Sequence, residues 1–140
     1  MMPVETVLND LALGAIGRLK QLPQPVVRVS GPLTSGPRDY DSNLARFRFV
    51  EEKLKSEGFT VFDYFDGNND EAVIKSLDVP WDMVMEHYHR PILETGLIGA
   101  CYFIPEWELS SGASWEHDFY TTHQLEIIYV PEEWFPKSLR

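Results

Sequence analysis

Residues 26–40 read VVRVSGPLTSGPRDY. Val26 to Ser30 is a short β-branched run closed by Gly31-Pro32, so the segment predicts a strand that empties into a turn. The loop from Gly31 to Tyr40 sets Gly31 and Gly36 around the hydroxyls of Thr34 and Ser35, with Arg38 close behind. Asp41 or Ser42 suits the cap of a following helix, whose apolar positions Leu44, Phe47, Val50 and Leu54 keep helical spacing until Gly58 stops it. Strand, glycine-bearing loop and helix in that order form the opening half of a βαβ unit.

Upstream, Val4, Val7, Leu8, Leu11, Ala15, Ile16 and Leu19 recur at three- and four-residue steps, which predicts a helix from Val4 to Lys20 that Pro23 and Pro25 end. Residues 1–24 are therefore expected as a helical extension before a domain of residues 25–140. Downstream, Phe59 to Tyr64 reads as a second strand and Phe65 to Val79 as an irregular, solvated excursion. Pro80 opens a helix carrying Trp81, Val84, Met85, Tyr88 and Ile92, and Pro91 is expected to kink or shorten its last turn. Ile98 to Ile104 is a nearly unbroken apolar run, as a strand buried on both faces requires. After a loop from Pro105 to Ser111, a helix from Gly112 to His123 and a strand from Leu125 to Val130 complete the chain. Strands alternating with helices predict an α/β domain with a mostly parallel sheet of four to five strands and helices on both faces. In such sheets ligands lie beyond the carboxyl ends of the strands, where strand order reverses.

The 140 residues include twelve Lys or Arg against twenty-two Asp or Glu, a formal charge of −10. A surface of that sign cannot draw on counterion release, so duplex nucleic acid is not an expected partner. One phosphate can still sit on the backbone amides of a helix start. The single cysteine, Cys101, excludes an internal disulfide framework and suits a reducing compartment. No apolar run reaches membrane-spanning length, and the start carries acidic Glu5 and Asp10 rather than a basic segment followed by an apolar core, unlike a signal peptide. A cytoplasmic protein without membrane partners is the expectation. His87 and His89 point to different faces of their helix and no zinc spacing occurs, so neither a metal nor a cofactor is expected.

Glycines let a backbone approach an anion, hydroxyls donate to it and arginine adds a charged fork, so the loop of residues 30–40 fits a phosphate or sugar. The alternative is a turn that only joins strand to helix. It is not a nucleotide-triphosphatase loop, because Pro37 and Arg38 stand where that motif needs Lys and Ser or Thr. The second segment is PEWELSSGASWEHDF, Pro105 to Phe119, where two serines and a glycine precede a helix with Glu116 near its start. A carboxylate held near free helix amides is favoured as the anion and can attack a sugar carbon; it is also an ordinary helix-start residue in a capping pattern. Cys101, inside an apolar strand, reads as an inert core residue. Trp107, Trp115, Phe119 and Tyr120 can stack a base or fill the core.

With SGPLTSG after the first strand, Trp81 and Met85 on the middle helix, PEWELSSGASWE after a buried strand and LEIIYV at the close, the chain from Val26 to Val130 resembles the nucleoside 2-deoxyribosyltransferase superfamily. It is most similar to the short bacterial and phage branch, which includes N-hydrolases of 2′-deoxynucleoside 5′-phosphates and reads SGPMTG early and GWE-x-S-x-GA-x-x-E late. The resemblance implies a flavodoxin-like three-layer sandwich, Glu116 as nucleophile, and Ser110 on the 5′-phosphate of a monophosphate. It makes Ser30, Gly31, Pro32, Thr34, Ser35 and Arg38 of the first motif, and Trp107 and Gly112 of the second, the further substrate-binding residues. The implied activity is cleavage or transfer at the N-glycosidic bond of a (deoxy)nucleoside 5′-monophosphate, and the implied assembly is a homodimer or larger homo-oligomer. Three positions depart from the family: its first-strand tyrosine is Arg28, its mid-helix aspartate has no counterpart between Tyr88 and Pro91, and the aspartate that opens its late strand is Gly99. Without the helix aspartate, His89 is the expected proton donor, because an imidazole titrates near neutrality, with Glu86 and Asp82 as substitutes. The departures leave a second expectation, a nucleotide-binding or interaction module that has lost its chemistry.

Overall fold

The protein is seen in a computed structural model that describes residues 2–63 and 70–140. The expected strand end at Tyr64 and residues 65–69 of the expected irregular stretch lie outside the described residues. Strands β1 (Val26–Ser30), β2 (Thr60–Val61), β3 (Ile98–Phe103) and β4 (Glu126–Tyr129) form one sheet of order β2-β1-β3-β4. Every pairing is parallel, with Val27 opposite Val61, Arg28 opposite Cys101 and Phe103 opposite Tyr129. All five residues of β1 are buried, as a central strand of a sheet covered on both sides must be.

One face carries helix α2 (Tyr40–Ser56), which lays Phe47, Val50 and Leu54 against Val27, Val29 and Ala100. The chain after β4 folds back over the same face and buries Phe135 there. Asp39, rather than the expected Asp41 or Ser42, caps α2 by accepting from the Ser42 amide at 2.8 Å. Gly58 ends it: at φ +92° it lets the Phe59 amide reach back to the Leu54 carbonyl at 3.0 Å and its own amide reach Lys55.

The other face carries α1 (Val4–Lys20) and α6 (Ser111–Thr122), with a helical run between them along the chain. α1 buries Leu8, Ala12, Ala15 and Leu19 in a cluster with Ile92, Phe103 and Tyr120, so this N-terminal helix supplies core. Three layers, helix on sheet on helix, make the domain a flavodoxin-like α/β sandwich.

Two local expectations change. Residues 70–77 are helical (α3, Asp70–Leu77), because Ile74 has a core to enter and Glu71 pairs with Lys75 one turn on at 3.4 Å. Asp70, buried at its start, takes hydrogen bonds from Arg18 of α1 at 2.8 Å and from the Tyr88 hydroxyl at 2.7 Å. Pro91 does not shorten its helix. α4 (Trp81–Val84) passes into a π-turn over Met85–His89, in which the Arg90 amide bonds the Met85 carbonyl, and continues as α5 (Arg90–Glu94). Proline lacks the amide for the usual bond and crowds the carbonyl four residues back, and the wider turn accommodates both. No helix among the described residues is long and apolar enough to cross a membrane.

Candidate functional site

A cavity of about 370 Å³ opens beyond the carboxyl end of β1. The strand's last residues, Arg28 to Ser30, and Gly31 form part of its wall, joined by Leu33 and Thr34 from the loop. Tyr40 and Phe47 of α2 and Glu71, Ile74 and Lys75 of α3 add a second side. Trp81, Met85 and His89 come from the helical run, and Ser110, Gly112, Ala113 and Glu116 from the start of α6. β1 has β2 on one side and β3 on the other, so the crevice lies where strand order reverses.

Arg28, Glu116 and His89 are each more than nine-tenths buried. The Arg28 Nη2 lies 3.3 Å from the Glu116 Oε2, an ion pair in which that oxygen makes no aligned hydrogen bond. Burial raises the Glu116 carboxyl above its ordinary pKa, while Arg28 and then the Ser30 hydroxyl pull it part of the way back. Burial also works against the Arg28 charge, but Glu116, with smaller help from Cys101 and Tyr120, outweighs it and leaves the guanidinium firmly protonated. For His89 burial and then the Arg28 charge act in the same direction and push the imidazole down to about 3. It is neutral at physiological pH. The near-neutral titration that recommended it as proton donor is absent, and π-turn burial beside an arginine is the reason.

α6 delivers its start to the same space. Ser110 caps the helix by accepting from the Ala113 amide at 3.1 Å, and Ser110, Gly112 and Ala113 all face the cavity. Free amides and the positive end of a helix dipole are there for an anion.

Of the residues singled out in the sequence, Ser30, Gly31, Thr34, His89, Ser110, Gly112 and Glu116 line this cavity together. Pro32, Ser35, Arg38 and Trp107 are not among its lining residues. The Ser35 carbonyl accepts from the Asn43 amide nitrogen at 3.2 Å. Arg38 pairs with Glu106 and borders a separate cavity of about 140 Å³ with Arg46 and Arg140. Trp107 stacks on His117, ring centroids 4.0 Å apart. Gly31 is required by packing: a Cβ there would stand 2.8 Å from the Cβ of Ile104. Glu86 binds Arg90 at 2.8 Å and Asp82 accepts from the Met83 amide, both on the exposed side of the run, and neither is among the lining residues. Glu71 and Lys75 of α3 and Tyr40 of α2 also line the cavity; the i, i+4 spacing of Glu71 and Lys75 is the sequence signal for the first two. Among the described residues, no cluster of His, Cys, Asp or Glu has the makings of a metal site.

Fold and site together define a parallel three-layer α/β domain with a charged crevice at the strand switch. The chain belongs to the family described as Domain of unknown function (DUF4406), whose model matches residues 25–129. No curated protein and no solved structure matches it.

Proposed function

We propose that the protein cleaves or transfers the N-glycosidic bond of a nucleoside 5′-monophosphate, with Glu116 as nucleophile. The observation that carries this reading is a buried, arginine-paired carboxylate on the wall of a cavity that also receives a capped helix N-terminus. The Glu116 carboxylate attacks C1′, the C1′–O bond forms as the C1′–N bond breaks, and the base leaves with a proton. Water or a second base then displaces the glycosyl group and restores the carboxylate. The 5′-phosphate fits the α6 start at Ser110 and Gly112, with Thr34 and the Lys75 ammonium lining the same cavity. Neutral His89 serves as a hydrogen-bonding group on the cavity wall, and the departing base takes its proton from water.

Replacing Glu116 with Gln should lower base release from a monophosphate panel on the order of 10³-fold or more, read by chromatography of the free base. A wild-type protein that releases no base from any member overturns the enzymatic reading. One observation favours the alternative of a binding module without chemistry: the 3.3 Å contact to Arg28 stabilises the carboxylate as an anion and so tempers its attack. Nucleotide binding without base release distinguishes that case. A homodimer, supported by the exposed Leu13, Leu109 and Tyr129, and a cytoplasmic location, supported by the free, buried Cys101, belong to the same proposal.

A further inference from the structure

We infer that Arg28 makes the cavity selective for ribose over 2′-deoxyribose, by donating to the 2′-hydroxyl of the substrate. The inference rests on the proposed attack of Glu116 at C1′. Arg28 is a charged residue in the middle of the central strand, between Val27 and Val29 and opposite Cys101 of β3. Its side chain is 8% exposed and lines the cavity. A guanidinium carries several N–H donors in a planar fork. Among the described residues Arg28 makes one polar contact, the 3.3 Å ion pair to Glu116, through a single nitrogen and without the parallel bonds of a fork. The remaining N–H donors of Arg28 are not sealed in the core, and a ligand oxygen in the cavity can accept from them.

Stereochemistry identifies the oxygen. Displacement at C1′ is in line, so the carboxylate approaches from the face of the sugar opposite the base, at about 3 Å from the carbon. In a β-ribonucleoside the 2′-hydroxyl projects from that same face, on the carbon next to C1′. A group 3.3 Å from the attacking carboxylate therefore meets the 2′-oxygen, which can accept from Arg28 while its proton turns toward Glu116. The 5′-phosphate is further along the sugar, and the Glu116 charge repels it from this spot. A 2′-deoxy sugar offers only C–H to the guanidinium and leaves its donors unmatched. Sites built around a substrate hydroxyl reject the analogue that lacks it far more strongly than apolar pockets reject an extra group.

The test uses the wild-type chain and three monophosphates of one base that differ only at C2′: ribo, 2′-deoxy, and arabino, which has the hydroxyl on the opposite face. Affinity is read by stopped-flow tryptophan fluorescence before turnover accumulates, Trp81 lying on the cavity wall, and base release is read separately. The ribo compound should bind roughly tenfold or more tightly than both others, and Arg28→Met should bring the ribo-to-deoxy ratio toward one. Equal affinities, a deoxy preference, ribo and arabino binding alike, or no binding of any of the three each overturns the inference. If Arg28→Met does not fold, the three-sugar comparison decides alone. Equal affinities with base release would leave Glu116 as nucleophile and remove Arg28 as selector; ribo-selective binding without base release would do the reverse.

Discussion

Glu51, on the buried side of α2, is 2% exposed. Burial first, and then repulsion from Asp63, carry its carboxyl from 4.5 up to about 8, against smaller opposing pulls from Lys55 and Arg48. The folded chain therefore holds a proton there that the unfolded chain has lost, and stability falls as pH rises through that window, by at most about 1.4 kcal/mol per unit. His89 acts in the opposite sense below 6.5, where the unfolded imidazole takes up a proton that the folded one refuses until about 3. The Glu51 slope is thus unopposed by His89 between 6.5 and 8. Urea denaturation across that interval should show falling stability in the wild type and a flatter profile in Glu51→Gln; identical profiles would contradict the assignment. At this scale the resemblance pointed to Ser110 and Glu116, which both face the cavity, whereas spacing alone fitted Glu116 to an ordinary helix start. The sequence was misleading about Arg38 and Trp107, whose chemistry fits a ligand but whose partners, Glu106 and His117, come from the far side of the loop and the next helix.

Helix α1 shows what an element contributes. Leu8 and Leu19 are fully buried, and the cluster they enter includes Ile92 of α5 and Tyr120 of α6. Leu8→Ala should therefore cost about 2–5 kcal/mol in chemical denaturation, in the range for a truncated core leucine; a change below about 0.5 kcal/mol would show the helix to be dispensable. The stripe of α1 was legible from its spacing, but its docking was not, since periodicity shows that a face is apolar and not what covers it. α3 was hidden by the turn-forming GNND before it, although Ile74 and the Glu71–Lys75 pair give it a face and a staple. The π-turn could not be read at all. Pro91 signals a disturbed helix, and only the packing around it decides between a break and a wider turn. That choice sets which way His89 points: one extra residue in a turn rotates everything after it by roughly a quarter circle. The middle helix of this chain is thereby registered so that His89 faces the crevice and Glu86 faces solvent.

For the molecule as a whole, the parallel pairing was foreshadowed by alternation of element types and the burial of β3 by its unbroken apolar run, while the strand order was not legible. The −10 charge argues against polyanions and has no bearing on the crevice, where Arg28 and Lys75 meet Glu116 and Glu71 one for one. Leu13, Leu109 and Tyr129 stay more than half exposed on this acidic surface. Light scattering should accordingly give a particle of at least twice the 16.2 kDa chain mass, and a single-chain mass would refute self-association. Cys101 has a practical side. It is the chain's single thiol, has no exposed surface and sits beside Arg28 in the sheet, away from bulk water. A thiol reagent can reach it only when the central strands part, so its labelling rate is a built-in clock for opening of the sheet. Any small molecule that lodges in the crevice and holds those strands together will slow that clock, which lets candidate ligands be screened without a label on either partner and without knowing the reaction in advance.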